Sequence, residues 1–370
     1  MITVMRAGPL TTVQDLGRPG YAHLGVPRSG ALDMPALRRA NALVGNSVEA
    51  AVLETTLMGC ALRFEVAARV AVTGAFGVVR VDKQPVSTAA AFEVAFAVAA
   101  GAVLDVGRAQ RGVRSYVAVA GGIDVEPVLG SRSTDTLSGL GPPRLVDGMT
   151  LPIGREFGGS AVRQGPLGGE VADSAARPGT LGGDFGGPAS RPGTLGRDFG
   201  VSPVRQGPLD GDFGGSPPRH GPLVRDFEAS AARHGPPPPG WVGPSEAGGS
   251  DSFSWLSTGG GELVLGVRGG PRDDWFVTGE LFGSPYTVTP LSDRVGCRLA
   301  GSALTRAQAG ELPSEGVVLG AVQVPADGQP LIFLADHPTT GGYPVIGVVD
   351  DVTPLAQARP GTTVRFRAID

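Results

Sequence analysis

The chain has 370 residues, of which 60 are glycine and 33 proline, and a formal net charge of −4 with acids and bases interspersed. That charge pattern excludes nucleic acid or an anionic membrane as the main partner. Glycine and proline stand at about twice their usual share, too many for one uniformly folded chain.

In chain order, the first 30 residues read as turns with short apolar runs. A helix is predicted from Asp33, a good N-cap, with Pro35 in the first turn and Gly45 as the stop. Residues 50–154 read as strands: 52–57, 62–66, 69–73, 77–81, 115–120 and a last run at 148–154. The sole lysine, Lys83, falls between two of these runs and is expected at a hairpin tip. Strands at this density with little helix between them predict a barrel or sandwich.

From Glu156 an acid-plus-apolar pair and an arginine recur every 14 residues, from Glu156-Phe157 and Arg163 to Asp226-Phe227 and Arg233. The six units, 156–239, hold 19 Gly and 13 Pro and offer too little apolar surface to offset ordering entropy. They predict a disordered, low-complexity insertion, with linker continuing to 261. Strand signals resume at 262–268, 286–289, 316–324, 331–335, 345–349 and 363–367. The expected organisation is an N-terminal β domain over 1–154, the insertion and linker over 155–261, and a C-terminal β domain over 262–370.

With one lysine among 31 basic residues, a Gly-Lys-Ser/Thr phosphate loop is excluded. Cys60 and Cys297 form no paired motif, and the four histidines, two of them in the repeat, predict no metal site. The N-terminus lacks a secretory apolar core, and the longest apolar stretch, 89–104, is broken by Glu93 and Gly101, so a cytoplasmic protein is expected.

Four clusters combine glycine turns with polar groups. The first, 11–21, carries Gln14, Asp15 and Arg18 on a segment that glycines keep irregular. The second, 25–33, places Ser29 and Gly30 ahead of the helix capped by Asp33, where free N–H groups can meet an anion. In the third, Ser292–Gly296, Asp293 flanks Arg294, whose planar fork suits a carboxylate or phosphate, or equally an interdomain salt bridge. The fourth runs from Asp336 through Thr339, Thr340, Gly341, Gly342 and Tyr343, preceded by Gln323, and forms a nest suited to an oxyanion. His337 in that cluster is the one candidate general base. No triad emerges; Arg, Asp, Gln, Thr and backbone N–H groups favour electrostatic stabilisation over covalent catalysis.

The same clusters carry a resemblance. TVQDLGRPGY (12–21), GVPRSGALD (25–33), ANALVGN (40–46), LETT (53–56) and YVAVAGGI (116–123) are similar to the biotin-dependent carboxyltransferase family. That family includes the C-type subunit of 5-oxoprolinase, allophanate hydrolase subunit 2 and the carboxyltransferase domain of urea carboxylase. PRDDWF (271–276), SDRVG (292–296), EGVV (315–318), QVP (323–325), GQP (328–330) and TTGGYP (339–344) agree in order. Arg28 and His337-Pro338 depart from the family pattern.

The resemblance implies a mainly β fold of two cyclophilin-like β-barrel domains with few short helices. It implies a partner, the B-type subunit of 5-oxoprolinase, with the A-type beyond it, and activation of 5-oxoproline by ATP in a site shared between chains. The substrate carboxylate would meet Arg18 or Arg294, and its lactam oxygen the N–H groups of Gly341 and Gly342. Asp15, Arg18, Arg294 and Thr340 are then the catalytic candidates. Gln14, Ser29, Gly30, Asp33, Asp293, Gln323, Asp336, Thr339, Gly341, Gly342 and Tyr343 are the binding candidates. Two other roles fit the resemblance: transfer of a carboxyl group from carboxybiotin to urea or a similar amide, and non-catalytic antagonism of a kinase inhibitor. Without a biotinyl-lysine motif, biotin would have to arrive on another chain.

Overall fold

Runs rich in valine, leucine and threonine, broken by glycine turns, pair into two mainly antiparallel β systems. The computed structural model describes residues 1–86, 93–155 and 262–370. The repeat expected over 156–239 and the linker to 261 lie outside the described residues.

In the first half, β1 (Ile2–Arg6), β2 (Thr11–Gln14), β3 (Val52–Thr56), β4 (Ala61–Phe64), β8 (Val103–Val119) and β9 (Thr150–Leu151) follow the order β2-β3-β8-β4-β1-β9. β5 (Ala68–Val81) pairs with β8 and carries β6 (Gln84–Pro85) and β7 (Ala95–Val98). The runs expected at 69–73 and 77–81 thus join into one strand through Gly74, at φ +85°. Three register shifts between Gly74 and Val79 bend β5 against β8, as bulges do, and the nine-stranded sheet curls. Asp82 and Lys83, both at positive φ, form the two-residue tip that joins Val81 to Gln84.

The curled sheet buries Ile2, Val4, Leu53, Leu62, Phe64 and Leu104 on its inner face. Its outer face is covered in part by α1 (Met34–Val44), which lays Ala36, Leu37, Ala40 and Val44 against Ala71, Tyr116 and Ala118. The helix starts and stops where its local chemistry requires. The Asp33 carboxylate accepts from Ala36 N at 2.9 Å, and Gly45 closes the end at φ +77°.

In the second half, β10 (Leu263–Gly269), β11 (Tyr286–Val288), β12 (Gly296–Ala300), β14 (Ala321–Gln323), β15 (Leu331–Phe333), β17 (Val345–Val349) and β18 (Thr363–Ala368) close a barrel. The parallel pair β10–β18 completes it. A separate two-residue ladder joins β13 (Glu315–Gly316) to β16 (Thr340–Gly341). Helical structure here is short, α2 (Glu280–Gly283) and 3-10 turns over Asp273–Trp275 and Thr353–Gln357. The described residues of both halves belong to one compact unit, and Leu32 from the first half packs in the barrel's core with Leu299, Ile332 and Leu355. β1, β2, β6, β7, β12, β16 and residues 103–114 of β8 were not expected; β1, β2 and β12 are cut short by the glycine-rich motifs that follow or precede them.

Candidate functional site

Antiparallel register places Thr12 opposite Glu54, Glu54 opposite Tyr116 and Tyr116 opposite Thr73, so one face of β2, β3, β8 and β5 carries a buried polar row. Polar groups at that depth need partners, and the second half supplies them. Arg294 donates through Nη1 to Glu54 Oε1 at 2.5 Å, and through Nε and Nη2 to both Asp336 oxygens at 2.9 and 3.0 Å. Nη2 also reaches Gly30 O at 2.6 Å. Tyr116 donates its hydroxyl to Glu54 Oε2 at 2.8 Å, and Thr136 donates its N–H and hydroxyl to Asp336 Oδ2.

Burial works against the charge on Arg294, but Glu54 and Asp336 outweigh it and raise its pKa. Asp336 shows the converse: burial opposes ionisation, yet Arg294 and Thr136 hold its pKa below the ordinary value. Burial, Glu54 and Asp33 push the Tyr116 phenol well up, so it stays a neutral donor. Of the two expectations for Arg294, the interdomain salt bridge is the one met: its fork is filled by this chain's own carboxylates and not left for a ligand.

Gln357 is a second tie between the halves. Its Oε1 accepts from Val113 N and Arg114 N, and its Nε2 donates to Asp33 Oδ2 and Arg114 O, all within 3.0 Å. Asp33 therefore caps α1 with one oxygen and holds Gln357 with the other; burial raises its pKa. Asp293 is exposed and closes a turn, accepting from Val295 N and Gly296 N.

The first and second clusters meet beside this network. Asp15 Oδ1 accepts from Gly17 N and from the hydroxyls of Ser131 and Ser133, and Oδ2 accepts from Arg132 N. With four donors the carboxylate knits the 15–18 turn to the 131–133 loop. That loop in turn fixes Arg18, whose Nε donates to Val128 O at 3.3 Å and whose Nη2 donates to Ser133 O. Gly17 is required at the crossing: at φ +83°, a Cβ there would lie 2.6 Å from Arg28 O. Ser29, at φ +54°, donates its N–H to Ala335 O and so ties this cluster to the segment before Asp336.

Four buried side-chain atoms around this crossing have no hydrogen-bond partner among the described residues: Arg18 Nη1, Gln14 Oε1, Ser29 Oγ and Thr134 Oγ1. Such groups are costly when left unpaired, and each calls for an explanation such as a bound water, an ion or a role in chemistry. Burial lowers the pKa of Arg18, opposed by Asp135, Asp15 and Asp336 in that order.

The fourth cluster divides. Asp336, His337 and Thr339 are buried, whereas Thr340, Gly342 and Tyr343 face solvent. Gln323 donates to Tyr343 O at 2.9 Å and lies against Gly341. Glu315, opposite Gly341 in the ladder, is paired with Arg272, which brings a cation to this turn. Burial lowers the pKa of His337, whose Nδ1 lies 2.6 Å from Pro338 O. Among the described residues no His, Cys, Asp and Glu cluster can hold a metal, and no helix is long and apolar enough to cross a membrane.

The structure thus brings Gln14, Asp15, Arg18, Ser29 and Gly30 together with Arg294 and Asp336, and leaves Thr340, Gly342 and Tyr343 on an open turn. Sequence reasoning missed Glu54, Arg114, Tyr116, Ser133, Thr136 and Gln357 as site residues. A glutamate inside an apolar strand, flanked by Leu53 and Thr55, was the one available signal.

Comparison with known proteins agrees with this architecture. The family described as "Carboxyltransferase domain, subdomain A and B" matches residues 24–181 and 243–368. The chain is 33% identical over 373 residues to the C-type subunit of 5-oxoprolinase from Escherichia coli (strain K12), covering 99% of this chain and 90% of that protein. It is 38% identical over 139 residues to urea amidolyase of Lachancea kluyveri, covering 37% of this chain and 7% of that protein. Among solved structures it resembles the urea carboxylase of Kluyveromyces lactis, with a TM-score of 0.68 and 25% identity, covering 100% of this chain and 27% of that one. The chain spans about half or less of the solved chains it matches. By sequence along nearly its whole length and by fold, the chain belongs to the carboxyltransferase-domain family, subdomains A and B.

Proposed function

We propose that this chain is the C-type subunit of an ATP-dependent 5-oxoprolinase. In this reading it works with a B-type subunit to activate 5-oxoproline, which an A-type subunit then hydrolyses to glutamate. The observation that carries it is the likeness to the Escherichia coli protein over 99% of this chain and 90% of that one. The relatives named urea amidolyase and urea carboxylase match either 37% of this chain or at lower identity.

ATP, when bound, supplies the phosphoryl group that activates the lactam. Phosphoryl transfer asks a protein mainly to position reactants and offset charge, and the chain's donors suit that task. The turn of Thr340, Gly341 and Gly342, exposed at Thr340 and Gly342, is open to a phosphate and to a partner chain. The crossing at Gln14, Arg18 and Ser29 provides the buried polar groups for the organic substrate.

The test is co-expression with the neighbouring A-type and B-type subunits and measurement of ADP release. Release that requires 5-oxoproline is expected. A folded complex that releases no ADP with 5-oxoproline overturns the proposal. Carboxyl transfer to urea by a complex supplied with carboxybiotin would replace it with the carboxyltransferase role. Thr340→Ala, at an exposed position, is expected to lower release without lowering the melting temperature.

A further inference from the structure

Gln14 ends β2, and Arg18 follows four residues later across the Gly17 turn. Both side chains reach the same short segment: Gln14 Nε2 donates to Thr134 O at 3.0 Å, and Arg18 Nη2 donates to the adjacent carbonyl, Ser133 O. A carbonyl can only accept, so the Gln14 atom facing Thr134 O is its nitrogen. Its oxygen, Oε1, is therefore the atom without a partner. On Arg18 it is Nη1, a pure donor. One buried acceptor and one buried donor thus stand unpaired on neighbouring anchors.

The surroundings decide what charge such a site accepts. Asp135, Asp15 and Asp336 already lie near Arg18, and Asp336 is also committed to Arg294. A carboxylate brought here would add a further negative charge to a buried position that already holds these acids, which is costly. A neutral group that offers one acceptor and one donor side by side meets no such penalty.

We propose that Arg18 Nη1 and Gln14 Oε1 are the specificity pair that reads the cis-amide edge of a lactam or ureido group, Arg18 taking its C=O and Gln14 its N–H. The hydroxyls of Ser29 and Thr134, buried without partners, complete the polar lining. Gly141, next to the exposed 136–139 segment, packs directly on Ser133 O, and a Cβ there would lie 3.0 Å from Arg18 Nη2. The choice of lactam rests on the 5-oxoprolinase reading; the pairing of donor with acceptor does not. It assigns Arg18 to the amide rather than to the substrate carboxylate.

The test uses the full chain and three small probes measured by calorimetry or ligand-observed NMR. They are 2-pyrrolidinone, N-methyl-2-pyrrolidinone, which lacks the N–H, and cyclopentanecarboxylate, which lacks the amide. Expected is binding of 2-pyrrolidinone, at least about tenfold weaker binding of the N-methyl lactam, and no preference for the carboxylate. Gln14→Leu should erase the difference between the two lactams, and Arg18→Met should abolish binding of both. Equal binding of the lactams to the unmodified chain overturns the pair, as does preferred binding of the carboxylate. Absence of lactam binding overturns it too, since the unpaired atoms would then hold internal water only. These three outcomes need no variant to fold. If ADP release requires 5-oxoproline but is unmoved by competing 2-pyrrolidinone, the pair is wrong and the proposed function stands. Lactam binding without ADP release supports the pair and overturns the proposed function.

Discussion

Arg294 and Asp336 meet in a two-point pair, Nε to Oδ2 at 2.9 Å and Nη2 to Oδ1 at 3.0 Å, with neither side chain more than 1% exposed. Both come from the second half, and each holds one hand to the first half: Arg294 to Glu54, Asp336 to Thr136. The pair therefore fixes how the barrel sits on the curled sheet. Removing one member strands the other charge in a dry environment. Arg294→Met is expected to cost about 3–5 kcal/mol, and Arg294→Lys nearly as much because an ammonium cannot reproduce the fork. Urea unfolding checks this against Arg268→Met, which breaks a half-exposed pair with Asp350 and should change stability by no more than about 0.5 kcal/mol. Similar losses for the two arginines would contradict the buried role.

His337 gives stability a pH dependence near neutrality. Burial lowers its folded pKa below the ordinary 6.5, so the unfolded chain binds the proton more readily. The contribution is fully present above pH 6.5 and is lost as pH falls from there through the folded value. Asp135 and Asp336 beside the ring favour the charged form and Arg28 disfavours it, which sets how far the loss extends. His337→Gln should flatten the melting temperature across that window, measured by scanning calorimetry at several pH values. An unchanged slope would place the titrating group elsewhere.

How much of this was legible beforehand follows from the range of each interaction. The α1 cap at Asp33, Pro35 and Gly45, and the Lys83 tip, are local chemistry and were read correctly from neighbouring residues. The grouping of Gln14, Asp15 and Arg18 was visible as a polar, glycine-bounded segment. That Arg294 could form an interdomain salt bridge was visible too; which residue it meets was not, because its partner Glu54 is 240 positions away and sits in a strand that reads as apolar core. Gln357 was invisible for the same reason: its four bonds reach Asp33, Val113 and Arg114, none closer than 243 positions. Register across β2, β3 and β8, rather than any motif, puts Thr12, Glu54 and Tyr116 on one face.

Gln357 closes a polar gap that no smaller residue fills. Gln357→Ala leaves the N–H groups of Val113 and Arg114 and one Asp33 oxygen without a partner, each worth about 1–3 kcal/mol when buried. A drop of several kcal/mol in unfolding free energy is expected. Gln357→Glu keeps the two acceptor contacts but sets a carboxylate against Asp33, so it should be no better than alanine at neutral pH and should recover as Asp33, already raised by burial, takes up a proton in acid. Recovery on raising the pH instead would show that the carboxylates do not face one another.

Asp15 separates positioning from chemistry. Its four donors are the Gly17 and Arg132 N–H groups and the hydroxyls of Ser131 and Ser133, so it touches no free space that a substrate would occupy. It acts on the site by holding the loop whose Ser133 and Val128 carbonyls orient Arg18. Asp15→Asn cannot satisfy all four, since one carboxylate oxygen becomes a donor facing another donor. The turn should loosen, Arg18 should lose its single orientation, and 2-pyrrolidinone should bind several-fold more weakly. Discrimination against the N-methyl lactam should weaken too, because it depends on presenting both edges of the amide at once. A merely structural role would lower the melting temperature and leave that discrimination intact, so the ratio of the two affinities in Asp15→Asn, measured below its melting point, decides between them.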